Sequence, residues 1–483
     1  MAFAVSRLDL LNIAPGFILV IFSITVLLLD VFLSTKWKKY LPYICIGGIV
    51  ASFIASSLLW NRPNYAFNKM IVVDNYSQFF NFVFLIATAL VILISIDYIR
   101  ERGMETGEYY ALLLLTTFGM ILMASGLSLI IVFLGLEILS LSLYILAGFD
   151  KKEIKSLESS IKYFLLGAFA TGFLLYGIAL IYGATGSIRL DEIALSIKNN
   201  HISHRLMFFF GIGLLIVGFG FKVASVPFHI WTPDVYEGAP TTITAFMSIA
   251  AKAAGFAALL RIFGSSFELI QVDWSSLLWV LSVATMTLGN IVAISQTNIK
   301  RMLAYSSIAH TGYLLIGVVS ANNLGTSSIL FYMLAFTFMN IGAFTVVISL
   351  GKRGEENVFI ENYTGLGFRK PLLAGAMALF MFSLAGIPPT AGFIGKFYIF
   401  SASIEAGYIW LAIFGVINSL ISVYYYLRIV VLMYMKESVG EIEKLSPSIH
   451  ITIVLVITSI GILHLGLLPS FILRLAQNAF ILL

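Results

Sequence analysis

Apolar runs of about twenty residues recur along the whole 483-residue chain, separated by loops too short to form domains of their own. Lipid offers no partner for backbone N–H and C=O groups, so a run of that length satisfies them only as a helix. The composition agrees. Only 11% of residues are charged and 60% are hydrophobic, against roughly 25% charged in soluble domains. The fold class is therefore all-α: a polytopic membrane protein. The length rule gives about fourteen helices, beginning near Ile13, Leu41, Tyr76, Tyr109, Leu127, Ser159, Leu206, Thr241, Leu277, Met302, Thr326, Leu372, Tyr408 and Ile449. The first run lacks a basic start and a small-residue cleavage site, so it reads as a retained helix and not a signal peptide.

Loop charge fixes the orientation. Six of the seven odd-numbered connections hold "STKWKKY", "YIRERGME", "DKKEIKS", "NIKR", "GKRGEEN…FRK" and "MKESVGEIEK", while the seventh, "TPDVYEGAP", has no basic residue and is assigned by parity alone. They carry roughly sixteen Lys and Arg, against about six in the even-numbered ones, and such residues accumulate on the cytoplasmic side. The odd loops are expected in the cytoplasm and both termini on the opposite side. Lys300 and Arg301 are read here as loop charges of this kind.

Two runs break their own helices. "GFGFKVASVPFHIWTPD" (residues 218–234) and "LAGIPPTAGFIGKFYIF" (residues 384–400) each place proline and glycine in an apolar stretch with a lysine beside them. One broken segment per half points to a transporter built from related repeats. "SSIKYFLLGAF" (159–169) also echoes "SSILFYMLAFT" (327–337), an offset of 327 − 159 = 168. Adding 168 to 222 gives 390, near Lys396. The expected organisation is a single membrane domain, 1–483. It divides into three N-terminal helices (1–107), a first repeat of helices 4–8 (108–265), a second repeat of helices 9–13 (276–436) and a C-terminal helix (446–483). Five crossings is an odd number, so the two repeats are inverted relative to one another.

The interior ionisable residues carry the chemistry. Glu137 lies in "IIVFLGLEILSLSLYIL", and Lys222 and Lys252 fall near the middles of their spans. Acids and lysines at that depth are costly and usually mark an ion pathway. A structural carboxylate or a snorkelling lysine is the plainer alternative. Lys396 beside the second break is similar. Lys162 lies within two turns of a span end, where snorkelling competes. His310 in "AYSSIAHTGY" is open to two readings, a proton relay or a packing histidine. One acid and several lysines strung through the membrane could pass protons where water bridges the gaps.

Other chemistries are excluded or unsupported. Cys45 is the one cysteine, so disulfides, thiolate zinc sites and cysteine-ligated iron–sulfur clusters within this chain are ruled out. No metal-ligand spacing, nucleophile constellation or phosphate loop is present, and "GFGF" lacks the strand–helix context of a nucleotide site. The net charge of +5 is spread over short loops and forms no nucleic-acid patch.

"VFLGLEILSLSLY", "SLESSIKYFLLGAF", "GFKVASVPFHIWTPDVYEGAP", "KRMLAYSSIAHTGY" and "FSLAGIPPTAGFIGKF" together resemble the antiporter-like membrane subunits of NADH-quinone oxidoreductase, respiratory complex I. The resemblance spans nearly the whole chain. Within the family it is most similar to the subunit N branch, nearest the quinone end of the membrane arm. Lys396 stands where the M branch carries a glutamate, and the chain ends soon after its fourteenth helix.

The resemblance implies a proton-translocating subunit of an NADH:quinone oxidoreductase, an H+-translocating enzyme. Glu137 and Lys222 would form the ion pair of an input half-channel, and Lys162 would tune it. Lys252 would be the central relay and Lys396 the release residue, with His310 in the helix matching that of Glu137. No cofactor is implied in this chain; NADH, FMN, iron–sulfur clusters and quinone belong to partner subunits. Implied neighbours are the antiporter-like subunit M, the small membrane subunits K and J, and the lipid of a bacterial inner membrane. The alternative is a subunit of a multi-subunit sodium/proton antiporter; a scaffold without transport leaves the interior charges unexplained.

Overall fold

The computed structural model describes residues 6–351, 358–437, 447–479 and 481–482. Lys352, Arg353 and Lys444, among the orienting charges above, lie outside the described residues, as does the boundary at 446.

Among the described residues, thirteen helices are long and apolar enough to cross a membrane. The membrane helices are α1 (Ala14–Phe32), α2 (Leu41–Leu59), α3 (Asn75–Glu101), α4 (Gly107–Ser125), α5 (Leu129–Ala147), α6 (Ile154–Thr185) and α7 (Arg205–Val223). A short α8 (Trp231–Gly238) follows, then α9 (Thr241–Arg261), α10 (Gln271–Ile294), α11 (Ile299–Ser320) and α12 (Asn323–Leu350). The set closes with α13 (Pro371–Ala385), α14 (Ala391–Glu405), α15 (Ile409–Met435) and α16 (Ile449–Leu467). The expected fourteenth crossing is α13 with α14. Each has 15 residues, about 23 Å at 1.5 Å per residue, too short alone for a ~30 Å hydrocarbon core.

The two breaks obey one geometry. Helix α7 ends at Ala224 with φ 61°, and α13 ends at Gly386 with φ 84°. Two residues later come the cis bonds Val226–Pro227 and Pro388–Pro389. Both comparisons give the same offset, 386 − 224 = 388 − 226 = 162. The offset of 168 from the sequence echo joins α6 to α12 and does not carry over to the breaks. In the frame of the breaks Lys222 matches Leu384 and Lys396 matches Asp234, because 222 + 162 = 384 and 234 + 162 = 396. The intervening loops differ in length, so no single offset aligns all five helices of a repeat.

Freed backbone groups at both breaks find partners, as membrane depth demands. Trp231 Nε1 donates to Phe221 O at 3.0 Å and Thr311 Oγ1 to Val223 O at 2.7 Å, while Val226 N donates to Thr285 Oγ1 at 2.9 Å. At the second break Ser383 Oγ accepts from Gly392 N at 3.1 Å.

A tight turn at Ser125-Gly126 separates α4 from α5. Helices α4 and α5 are joined by three residues stitched to neighbours: Leu127 N donates to Met70 O at 2.9 Å, and Leu127 O accepts from Leu190 N at 2.9 Å. Gly119 and Gly135 face each other so closely that a Cβ on either would meet the other's carbonyl oxygen at 2.6–2.7 Å. Small residues there let the two helices touch.

Helix α9 is buried along its whole length, and α11 and α12 nearly so. They form the core on which the breaks converge. Helices α1, α2, α6, α15 and α16 turn apolar side chains such as Phe169 and Leu420 outward, as lipid-facing helices do. At the end of α9, Arg261 pairs with Asp74, the N-cap of α3, through two contacts of 3.0 Å. Both side chains are essentially inaccessible, 0% and 1% exposed. Arg261 also lies over the Tyr76 ring, and its Nε donates to Ala124 O at 2.9 Å. Leu482 completes the lock: its N–H reaches Asp74 at 3.1 Å and its carbonyl accepts from Arg261 at 3.2 Å. Sequence reading missed this pair, since both residues sit at span ends and look like loop charges.

Candidate proton-relay site

Lys222, on the last turn of α7 before the break, is buried. Its Nζ donates to Ser140 Oγ of α5 at 2.9 Å and to the Tyr163 hydroxyl of α6 at 3.4 Å. Tyr163 stacks on Trp231 with ring centroids 4.4 Å apart, so the break's own aromatic residue holds the lysine's partner in place. Ser140 is three residues from Glu137, one turn along the same face of α5. No ion pair within 4.0 Å joins Glu137 to Lys222 here, and Glu137 Oε1 is buried without a hydrogen-bond partner. Lys222 thus contacts Ser140, three residues along α5 from Glu137, rather than the carboxylate that the resemblance pairs it with. Neither Ser140 nor Tyr163 was singled out from the sequence.

Lys162 lies elsewhere. It pairs with Glu158 at 2.8 Å and Asp234 at 2.9 Å and is 42% exposed. Arg301 bridges Asp234 and Glu237, each at 2.9 Å, and Glu237 reaches Lys155 at 3.0 Å. The result is a file of alternating charges tying α8 to α6 and α11. Lys162 neither snorkels freely nor touches Lys222; its neighbour Tyr163 does. Lys300 also departs from the loop reading. It is wholly buried, and its Nζ donates to Ala239 O, at the end of α8, at 2.8 Å. A cation there complements the negative end of the helix dipole. Arg301 likewise serves the ion-pair file rather than standing free in a loop.

Lys252, mid-way along α9, is buried and donates to Ser307 O of α11 at 2.6 Å. Thr311 Oγ1 also approaches that carbonyl, at 3.2 Å, while donating at 2.7 Å to Val223 O, the residue next to Lys222. One threonine thus touches both the Lys222 segment and the acceptor of Lys252. His310, adjacent on α11, places Nδ1 2.6 Å from the Tyr332 hydroxyl and Nε2 3.1 Å from the Tyr426 hydroxyl. Tyr426 in turn meets Ser306. A neutral imidazole donates from one nitrogen and accepts at the other, which suits this double contact.

Lys396, on the second turn of α14, is buried. Its Nζ donates to Leu384 O at 3.1 Å, Ala385 O at 2.9 Å and Ser419 Oγ at 2.9 Å. These carbonyls end α13, so the lysine fills the gap that the break opens. It also sits 4.9 Å from the centre of the Tyr313 ring, and Tyr313 packs edge-on against His310 at 5.6 Å. Among the described residues neither Lys252 nor Lys396 forms an ion pair.

The sequence-derived residues thus split. Lys222, Lys252, His310 and Lys396 lie on one buried file, joined by Thr311 and Tyr313. Glu137 stands one turn behind Ser140 at its head, and Lys162 belongs to a separate surface network.

A family model described as "NADH:quinone oxidoreductase/Mrp antiporter, TM" matches residues 126–422, which take in both breaks and all six of these residues. NADH-quinone oxidoreductase subunit N of Trichlorobacter lovleyi is 52% identical over 467 residues, covering 97% of this chain and 96% of that protein. The subunit N of Chloroflexus aggregans is 42% identical over 481 residues, covering 98% of each. Among solved structures, a chain of respiratory complex I from Thermus thermophilus with bound aureothin superposes with a TM-score of 0.81 at 34% identity, covering 96% of this chain and 99% of that one. A chain of the Mrp complex from Dietzia sp. DQ12-45-1b gives 0.83 at 20% identity, covering 97% of both. The last likeness is one of fold alone.

Proposed function

This chain belongs to the membrane-subunit family shared by NADH:quinone oxidoreductases and Mrp antiporters, and we propose that it is the N-type proton-translocating subunit of an NADH-quinone oxidoreductase membrane arm. The observation that carries this reading is the buried file from Lys222 through Thr311, Lys252 and His310 to Lys396. Each lysine contacts hydroxyls or carbonyls, groups that accept from an ammonium yet hold no fixed counter-charge. Glu137, three residues from Ser140, supplies a carboxylate on the same face of α5. Two unit charges 4 Å apart interact by about 4 kcal/mol at an effective dielectric of 20. Moving one charge through 100 mV is worth about 2.3 kcal/mol. Shifting the Lys222 ammonium between Ser140 and Glu137, one helical turn apart, therefore changes its electrostatic support by as much as the membrane opposes. Proton transfer onward to Lys252 would run past Thr311 with water completing the path, and from His310 and its tyrosines to Lys396.

The redox groups would reside in partner subunits: NADH and FMN, iron–sulfur clusters and quinone. The neighbours we assign are subunit M on one side and subunits K and J on the other. The loop charges support both termini on the outer face, and the bacterial source of the relatives supports an inner-membrane location. The exchanger alternative shares the fold, but the full-length relatives at 52% and 42% identity carry the oxidoreductase name. Purifying the native complex in mild detergent tests the assignment. Flavin- and iron–sulfur-bearing peripheral subunits should co-purify. A complex without them that exchanges Na+ for H+ in vesicles would replace this reading with the exchanger.

A further inference from the structure

Asn290, near the end of α10, is wholly buried, and both N–H groups and the oxygen of its carboxamide are used. Nδ2 donates to the Tyr313 hydroxyl of α11 at 2.9 Å and to Asn418 O of α15 at 3.1 Å. Oδ1 accepts from the Tyr425 hydroxyl of α15 at 2.9 Å. The Asn418 carbonyl can only accept, so it fixes which end of the amide faces it. The Tyr313 oxygen therefore accepts from the amide, and Tyr425 donates to it. One side chain ties three helices together.

Tyr313 carries that link to the buried file. Its ring centre lies 4.9 Å from Lys396 Nζ, and His310 packs against it at 5.6 Å with the ring planes 86° apart. The other contacts of Lys396 Nζ are two carbonyls and Ser419 Oγ. An aromatic face attracts a cation but, unlike a carboxylate, does not take its proton. Such a face suits a lysine that must hold a proton and then release it. A phenol ring hinged only at its backbone end is free to swing away, whereas one also held at its hydroxyl is not. A carboxamide carries no charge near neutral pH, so Asn290 holds the ring without itself relaying a proton.

We propose that Asn290 is a positioning residue for the Lys396 end of the file. By holding the Tyr313 hydroxyl it keeps that ring against the Lys396 ammonium. The role rests on the proton-translocating reading of this chain and adds to it a residue that touches none of the lysines.

The test uses the assembled complex in proteoliposomes, reading protons pumped per quinone reduced, with the unfolding temperature measured in detergent. The scale is the part of pumping that Lys396→Ala loses. Asn290→Leu should cut that part about tenfold, equivalent to about 1.4 kcal/mol and within the range of a desolvated cation–π contact. In a Tyr313→Leu background, which has no ring to hold, Asn290→Leu should lower pumping no further. Ser282→Ala removes another buried bond between the same two helices, Ser282 Oγ to Gly312 O at 2.8 Å. It should lower the unfolding temperature and leave the proton ratio unchanged. If Asn290→Leu fails to assemble, Tyr313→Phe decides instead, because it breaks the same bond and keeps the ring. A wild-type ratio in the deciding variant, a further fall on the Tyr313→Leu background, or an equal loss in Ser282→Ala overturns the proposal. Normal pumping by Lys396→Ala would overturn the translocation reading along with it. Loss in Lys396→Ala beside a wild-type ratio in Asn290→Leu would overturn the positioning role alone.

Discussion

Lys396 Nζ lies 2.9 Å from the carbonyl oxygen of Ala385, the last residue of α13 before the second break. The lysine thus closes the gap made by the proline pair while standing at the end of the buried file. Its structural and its proton-carrying roles are separable by substitution.

Lys396→Ala removes the donor to Leu384 O, Ala385 O and Ser419 Oγ. Leaving buried acceptors unmet costs about 1–3 kcal/mol each, so both thermal stability in detergent and pumping should fall. Lys396→Arg should recover much of the stability but little of the pumping, since arginine does not release its proton. Full pumping by Lys396→Arg in proteoliposomes would leave the lysine a purely structural cap.

Glu137, Ser140 and Lys222 should act as one unit. Glu137→Gln and Lys222→Ala should each depress proton pumping by the reconstituted complex while leaving assembly intact. Their double mutant should be far from additive. Ser140→Ala takes away the 2.9 Å acceptor of Lys222 and should reduce pumping less, because Tyr163 remains at 3.4 Å. Wild-type pumping by a normally assembled Lys222→Ala complex would remove Lys222 from the pathway.

The Asp74–Arg261 pair is a stability element remote from the relay file. Breaking a buried pair by removing one partner costs about 3–5 kcal/mol, while replacing both with apolar residues is often neutral or better. Arg261→Met should therefore lower the unfolding temperature of the complex sharply. The double change Asp74→Leu, Arg261→Met should restore part of the loss without restoring charge. A single mutant as stable as the wild type would mean that water satisfies Asp74.

Orientation is open to direct labelling. Lys152 and Asn199 are exposed at opposite ends of α6 and its following segment, and the native Cys45 is buried. A cysteine at 152 should react with an impermeant maleimide only from the cytoplasmic side, and one at 199 only from outside. Labelling of both from one side would refute the topology.

The sequence by itself determined the class of fold, the position of nearly every membrane helix and the two breaks. Each rests on a strong local energy: apolar length in lipid, or a proline that deletes a backbone donor. It also identified Lys222, Lys252 and Lys396 as interior lysines, because an ammonium at membrane depth is conspicuous whatever surrounds it. What each lysine touches was decided only by the tertiary structure. At 3.6 residues per turn, neighbours on a helix point about 100° apart. Lys162 and Tyr163 are adjacent in sequence, yet one joins Asp234 in the ion-pair file and the other meets Lys222. Thr311 and Ser140 carry no signal of their own, since hydroxyls are common in helices and bond equally well to their own backbone. Lys300 looked like a loop charge until the packing of α8 set a carbonyl 2.8 Å from it. Burial of a charge is written in the local run of residues, whereas its partner depends on how helices far apart in sequence are rotated against one another.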